Sequence, residues 1–277
     1  MIRLAVRVAG DDGGVVLAEL LELSPAGVEE RALEDGGLEY VIYGASGELP
    51  ALPDVRAAAG DVLVTVSSEE IPDDWADRWK VWHRPVDVAW RLRRLRVRPP
   101  WEPALDDPGV TELVIDPGQA FGTGAHATTR LCLELLLGLD PGGPFSDWGS
   151  GTGVLAIAAA RLGYGPVVAV DLDPNCLEAT AENAAANGAR VEVRRCNLRR
   201  EPGPHAPTVC ANLVRPLLLD VARLMSAVPE RLIVSGLLRE EAGEVAAAFA
   251  GHGLRERALR SVAEWSALLL SAEGEAL

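Results

Sequence analysis

From about Ser146 onwards, short strand-like runs alternate with longer stretches of helical spacing, and this alternation sharply limits the folds open to the chain. The strand candidates "SDWG", "PVVAVD", "RVEVRRC", "PTVCANL" and "RLIVSG" alternate with "VLAIAAARLG", "NCLEATAENAAANG", "RPLLLDVARLMSAV" and "EEAGEVAAAFAGHG". Repeated β-α-β units need crossover connections, so the strands are expected to run parallel in one sheet with helices on both faces. Two terminal strand candidates, around "LRERALRS" and "EWSALLLSA", have no helix between them and would close the sheet as an antiparallel pair. Such a sheet takes its ligand outside the carboxyl ends of its strands, where the strand order reverses.

The beginning of the chain has a different rhythm. "MIRLAVRV" reads as a strand, "DDGGVVLAELLEL" has helical spacing, and "GVEERALE" and "LEYVIYG" flank the turn signal "DGG". A weaker helical stretch around residues 48–58 and the strand "DVLVTVSS" complete a β-α-β-β-α-β order, the split ferredoxin-like pattern. We therefore expect a small α+β domain over residues 1–68 and a linker over 69–100. A larger α/β domain is expected over 101–277. In the linker, Trp75, Trp79 and Trp82 share helical spacing and are read as packing residues, while "AWRLRRLRVRPPW" is read as a charged edge strand.

Charge narrows the partners. With 41 acidic and 26 basic residues, the chain carries a net charge of −15, which repels nucleic acid and attracts basic proteins. No direct DNA binding is expected. Cys132, Cys176, Cys196 and Cys210 form no CxxC pair and no zinc spacing, so they are read as buried free thiols in a reducing cytoplasm, with no metal site. Residues 1–25 lack a basic start followed by an apolar run, and no apolar stretch is long enough to span a membrane, so neither a signal peptide nor a membrane association is expected.

Two glycine clusters carry the chemistry. "DWGSGTG" sits between the first strand of the large sheet and its first helix, and Gly149, Gly151 and Gly153 are spaced two apart. The dinucleotide fingerprint places its third glycine three after the second, where this chain has Val154, and a phosphate-binding P-loop needs a lysine that neither cluster contains. Asp171 ends "VVAVD" and is placed to accept hydrogen bonds from ribose hydroxyls. A ligand with a ribose and no phosphate points to S-adenosylmethionine. Asp147 and Asp173 read as turn and cap residues, with Asp147 also a candidate to orient the cofactor's amino group.

"DPGQAFGTGAHATT", "DWGSGTGVLAIAAA", "VDLDPNCLEATAENAAANG", "ANLVRPLL", "LIVSGLL" and "EWSALLL" together resemble the ribosomal protein L-eleven methyltransferase family, in order from about Asp74 almost to the end. The resemblance implies a class I methyltransferase, Rossmann-like, with a seven-stranded α/β sheet and a small ferredoxin-like substrate-recognition domain. It also implies trimethylation of lysine and N-terminal amines on that basic ribosomal protein; a monomer in the cytoplasm is expected. Carried over by position, Thr128, Gly149, Asp171 and Asn212 would contact the cofactor, with Gly151 in the same loop. Phe121, Gly122, Thr123, Gly124 and Thr129 would wall its methionine part. Asn212 and His126 are the catalytic candidates, His126 also having a reading as a loop residue that fixes "GTGAHATT". The alternatives are a related enzyme acting on another protein lysine or a small amine, and a cofactor-binding docking module without turnover. "ANLV" in place of an "NPPY" type of motif argues against a DNA or glutamine methyltransferase.

Overall fold

A computed structural model describes residues 2–8, 16, 20, 28–33, 37–44, 49–50, 52–70, 83–117 and 124–272. The chain divides into two compact units, Met1–Trp82 and His83–Leu277, so the second begins inside the stretch read as a linker. Trp75, Trp79 and Trp82 lie outside the described residues.

In the first unit, β1 (Ile2–Val8), β2 (Glu29–Ala32), β3 (Leu38–Gly44) and β4 (Leu63–Glu70) form a sheet of order β2-β3-β1-β4. Every neighbouring pair is antiparallel, the arrangement that the β-α-β-β-α-β reading requires. Alternate residues Leu4, Val6 and Val8 of β1 meet Tyr40 and Ile42 of β3 in the core. Helix α1 (Leu52–Ala59) adds Val55 and Ala59, one turn apart. Val16 and Leu20 are helical and buried in the same core, as the spacing of the second segment predicts.

The second unit opens with β5 (Val86–Trp90), β6 (Arg93–Arg98) and β7 (Val110–Val114), a sheet of order β5-β6-β7. Here the expectation of one charged edge strand is corrected. The stretch turns at Arg91, which takes a left-handed φ of 52°, and returns as β6 in the centre of the sheet. Leu95 and Val97 are buried, while the arginines that alternate with them meet carboxylates: Arg94 with Asp107 at 2.8 Å, Arg96 with Asp87 at 3.7 Å and Arg98 with Glu112 at 2.9 Å. Charge that reads as edge protection is here matched across and beside the strands.

The large sheet contains β8 (Phe145–Trp148), β9 (Val167–Asp171), β10 (Val191–Arg195), β11 (Thr208–Asn212), β12 (Arg231–Leu238), β13 (Leu254–Val262) and β14 (Trp265–Ala272), in the order β10-β9-β8-β11-β12-β14-β13. The first five strands run parallel, and β14 is antiparallel to both neighbours. Successive residues feed opposite faces: Cys210 joins the core with α2 (Ala127–Gly138) and α3 (Val154–Leu162), whereas Val209 and Ala211 join the core with α5 (Arg215–Leu224) and α6 (Ala242–Ala250). Helix α4 (Pro174–Ala186) contributes Ala184 to the first of these cores. Burial on both faces is why β9, β11 and much of β12 read as near-continuous apolar runs, whereas β10, at the edge of the sheet, keeps charged residues. The short β8 is buried along its whole length despite Pro144 before it.

Candidate functional site

From β8 the chain winds outward through β9 and β10, then crosses back to β11 on the other side of β8. The switch point between β8 and β11 is therefore where loops diverge and leave a crevice. A cavity of about 480 Å³ lies there, lined by residues that follow β8, β9, β10 and β11 and by the first turn of α2.

The loop after β8 is held against its neighbours by main-chain bonds, Gly149 and Ser150 N–H both donating to Val170 O at 2.8 and 3.0 Å. Gly149 has φ +82°, and a Cβ there would stand 2.3 Å from Leu213 Cδ2. Gly236 on β12 has φ +84°, and its Cβ would stand 2.3 Å from Leu213 O. Leu213 thus passes between two glycines, which accounts for glycine at 149 and in "LIVSGLL" by steric contact. Thr180 of α4 donates to Gly151 O at 3.0 Å, and its oxygen lies 2.9 Å from Ser150 Oγ.

Asn183, also buried on α4, ties two loops together. Its Nδ2 donates to Thr152 O at 3.0 Å and Asp116 O at 3.2 Å, and its Oδ1 accepts from Asp116 N–H at 2.8 Å. One turn on, Asn187 pairs with both main-chain groups of Val114, accepting at 2.8 Å and donating at 2.6 Å. The glycine loop and the entry to "DPGQAFGTGAHATT" are therefore keyed to one helix face.

Asp171 lines the cavity at the carboxyl end of β9. Its Oδ2 accepts from Gly151 N–H and its Oδ1 from Asp173 N–H, each at 3.0 Å. Both oxygens retain a lone pair, so the carboxylate is fixed in direction and still able to accept from a vicinal diol. Asp173 caps α4, accepting from Asn175 N–H at 2.9 Å.

Asp147 occupies a different place from the one its sequence position suggests. Its carboxyl is fully buried and is not among the residues that line the cavity. Oδ2 accepts from Ala156 N–H at 3.1 Å, satisfying the first turn of α3, and Oδ1 is buried with no hydrogen-bond partner among the described residues. Burial pushes its pKa up to about 8, the Ala156 bond opposing and the Asp171 charge adding to the rise. Gly124 likewise packs away from the cavity, where a Cβ would meet Val97 at 3.1 Å. Phe121, Gly122 and Thr123 lie outside the described residues.

His126, Thr128, Thr129 and Asn212 converge on the cavity with Trp265. His126 is the N-cap of α2: its Nδ1 accepts from Thr128 N–H at 3.4 Å and lies 2.8 Å from Thr128 Oγ1. Trp265 meets the ring edge-on at 4.9 Å between centroids. Burial lowers the His126 pKa, with Glu264 opposing. A neutral ring whose Nδ1 accepts carries its proton on Nε2, so the arrangement gives this histidine a capping task and leaves it no second acceptor nitrogen. Asn212, at the end of β11, donates through Nδ2 to Thr129 Oγ1 at 3.3 Å.

Several lining residues carry no site assignment from the sequence: Leu172, Cys176, Asn197, Leu198 and Trp265. Asn197 and Leu198 directly follow the recognisable strand "RVEVRRC", so the carboxyl-end rule applied to every strand finds them. The Asn197 loop is braced, its Oδ1 accepting from Arg199 N–H at 3.1 Å and its N–H donating to Glu201 at 2.8 Å. Cys176 differs from the buried-thiol reading, being partly exposed, while Cys132, Cys196 and Cys210 are buried. Burial pushes the Cys176 thiol up to about 12 and Cys196 up to about 11, which makes both poor nucleophiles at neutral pH. Among the described residues no group of three or more His, Cys, Asp or Glu is placed to hold a metal ion, and no helix is long and apolar enough to cross a membrane.

The sequence matches the family model described as Ribosomal protein L11 methyltransferase (PrmA) over residues 54–273. The ribosomal protein L11 methyltransferase of Pelotomaculum thermopropionicum is 42% identical over 210 residues, covering 74% of this chain and 66% of that protein, so the match spans about two thirds of the relative's length. Its counterpart in Syntrophotalea carbinolica is 35% identical over an alignment of 309 residues that covers 96% of both chains. A solved structure of ribosomal protein L11 methylase from Lactobacillus delbrueckii subsp. bulgaricus is similar at TM-score 0.57 and 27% identity, covering 69% of this chain and 98% of that one. The large domain has the class I methyltransferase fold, and the chain belongs to the ribosomal protein L11 methyltransferase family.

Proposed function

We propose that this protein binds S-adenosylmethionine at the switch point and transfers methyl groups to amino groups, lysine ε and N-terminal α, of ribosomal protein L11. The observation that carries the reading is the pairing, in one cavity, of a fixed Asp171 carboxylate with a glycine turn at Gly149 that has no lysine beside it. That arrangement, an acceptor carboxylate with no cation beside the turn, fits a ribose diol on a phosphate-free nucleoside and fits a polyphosphate poorly. Asp171 would hold the ribose, and Leu172, Cys176 and Leu198 would offer the base an apolar slot beside Asn197. Thr128, Thr129 and Asn212 would flank the methionine portion.

When bound, the cofactor supplies a methyl group already activated on a sulfonium. What remains for the protein is alignment and control of the amine's proton. A lysine of pKa about 10.4 is neutral in about one molecule in 2,500 at pH 7, a cost of about 4.6 kcal/mol. A partly desolvated cavity beside a fixed cation lowers that pKa without a dedicated base. This agrees with the capping task of His126, whose Nδ1 is already engaged.

The substrate follows from family membership and from charge. A net charge of −15 draws a basic ribosomal protein toward the surface by long-range attraction. We assign substrate recognition to the ferredoxin-like first unit, and the setting of the reaction to the cytoplasm, where that substrate is made. The test is to incubate the purified protein with S-adenosylmethionine and isolated L11, then locate added methyl groups by mass spectrometry. Lysine and N-terminal amines carrying up to three methyl groups are expected. Cofactor binding without any methyl on L11, or transfer to another ribosomal protein instead, would overturn the assignment.

A further inference from the structure

We propose that Thr129 is a positioning residue that fixes which end of the Asn212 carboxamide faces the cavity. The inference rests on the amine-methylating reading above and goes one step further, to what makes the site accept an amine. Asn212 ends β11, and its side chain and that of Thr129 both reach the cavity. The Nδ2 of Asn212 donates to Thr129 Oγ1 at 3.3 Å, and Thr129 is fully buried in the first turn of α2. Because the carboxamide is planar with its two polar heads on opposite sides, holding the NH₂ against Thr129 leaves the carbonyl oxygen as the head for the cavity.

The orientation matters because an amine about to attack points its lone pair at the methyl carbon and has its N–H groups left to place. A carbonyl oxygen accepts one of them and steers the lone pair. An NH₂ in the same position would instead donate to the lone pair and quench the nucleophile. The two adjacent threonines thereby divide the work: Thr128 Oγ1 pairs with His126 Nδ1 at 2.8 Å, and Thr129 Oγ1 receives Asn212. Valine has nearly the shape of threonine and no hydroxyl, so Thr129→Val removes the acceptor that holds the NH₂ and frees the amide to turn over.

The test measures kcat and KM for both substrates in wild type, Thr129→Val, Thr129→Ser, Asn212→Asp and the Asn212→Asp/Thr129→Val double variant, with S-adenosylhomocysteine affinity by calorimetry. Thr129→Val is expected to lower kcat by about 10- to 100-fold, a larger factor than any rise in the Kd of S-adenosylhomocysteine. Thr129→Ser restores kcat to within about threefold of wild type. In the Asn212→Asp background, where both heads are acceptors, Thr129→Val has less than about a threefold effect on kcat. A Thr129→Val enzyme at wild-type kcat, a loss that serine does not restore, or an equal loss in the Asn212→Asp background would each overturn the proposal. A second readout is independent of turnover. The side-chain NH₂ signals of Asn212, identified in two-dimensional NMR by their loss in Asn212→Asp, are expected to move toward solvent-exposed positions and exchange faster in Thr129→Val. Unchanged signals would overturn it even if L11 proves not to be the substrate, whereas shifted signals with no methyl transfer by wild type would count against the enzyme reading alone.

Discussion

Asp171→Asn tests the proposed hold of Asp171 on a ribose separately from its support of a loop. In the wild type each carboxylate oxygen accepts one main-chain N–H, from Gly151 and from Asp173, both at 3.0 Å. A carboxamide has only one acceptor head, so its NH₂ must face one of these two donors. Asp173 is exposed and Gly151 belongs to the inner loop, so the NH₂ should turn toward Asp173, where water takes over the lost bond. The stability cost therefore falls near the low end of the range for an unmatched donor, about 1 kcal/mol. For the ligand the loss is larger. Hydrogen bonds to a charged acceptor contribute about 1.5–3 kcal/mol each, against about 0.5–1.5 for neutral ones, and one of two acceptors disappears altogether. A total of about 2–4 kcal/mol converts to a 30- to 1,000-fold rise in Kd. Calorimetric titration with S-adenosylhomocysteine reads the affinity and a thermal melt reads the fold. A Kd within threefold of wild type in a fully folded variant would refute the assignment of Asp171 to the ribose.

Further tests address the neighbouring residues. His126→Asn keeps a good N-cap, so turnover should stay within about fivefold of wild type; a general base would instead lose about 100- to 10,000-fold. Asp147, with a folded pKa of about 8 against an ordinary 3.8, keeps its proton in the folded state between those values, so its contribution to stability falls as pH rises from about 4 to about 8. Thermal melts of Asp147→Asn should therefore gain on wild type across that window and level off above it, and a difference that does not vary with pH would contradict the burial argument. Gly236→Ala should destabilise by on the order of 3 kcal/mol because its Cβ would meet main chain at Leu213 O, and Gly149→Ala by less, because the obstacle is the movable end of the Leu213 side chain. Equal denaturant midpoints for the two variants would argue against that distinction.

The parts of the fold that follow from local pattern are legible in the sequence. "VVAVD" and "PTVCANL" become central parallel strands because runs buried on both faces have few other places to go, and their carboxyl ends supply Asp171 and Asn212. Partnerships that form only in three dimensions are not. The arginines of "RLRRLRVR" look solvated until Asp87, Asp107 and Glu112 arrive from other segments. Asn183 and Asn187 look like ordinary polar positions of a helix, yet their amides pair with main chain some 67 and 73 residues away. At the site, His126 has both a catalytic and a loop-fixing reading in the sequence, and the geometry of its Nδ1 against Thr128 supplies the cap that supports the second. Asp147 precedes the glycine loop by two residues, but the strand's alternation turns its carboxyl inward beneath α3.

The central claim is that the crevice at the switch point selects a phosphate-free adenosine. Calorimetry of the intact protein with S-adenosylmethionine, S-adenosylhomocysteine, ATP and NAD compares that ligand with its phosphate-bearing relatives directly. Saturable heat with the first two and none with the others is expected; binding of ATP or NAD with no response to either sulfur-containing nucleoside would contradict it.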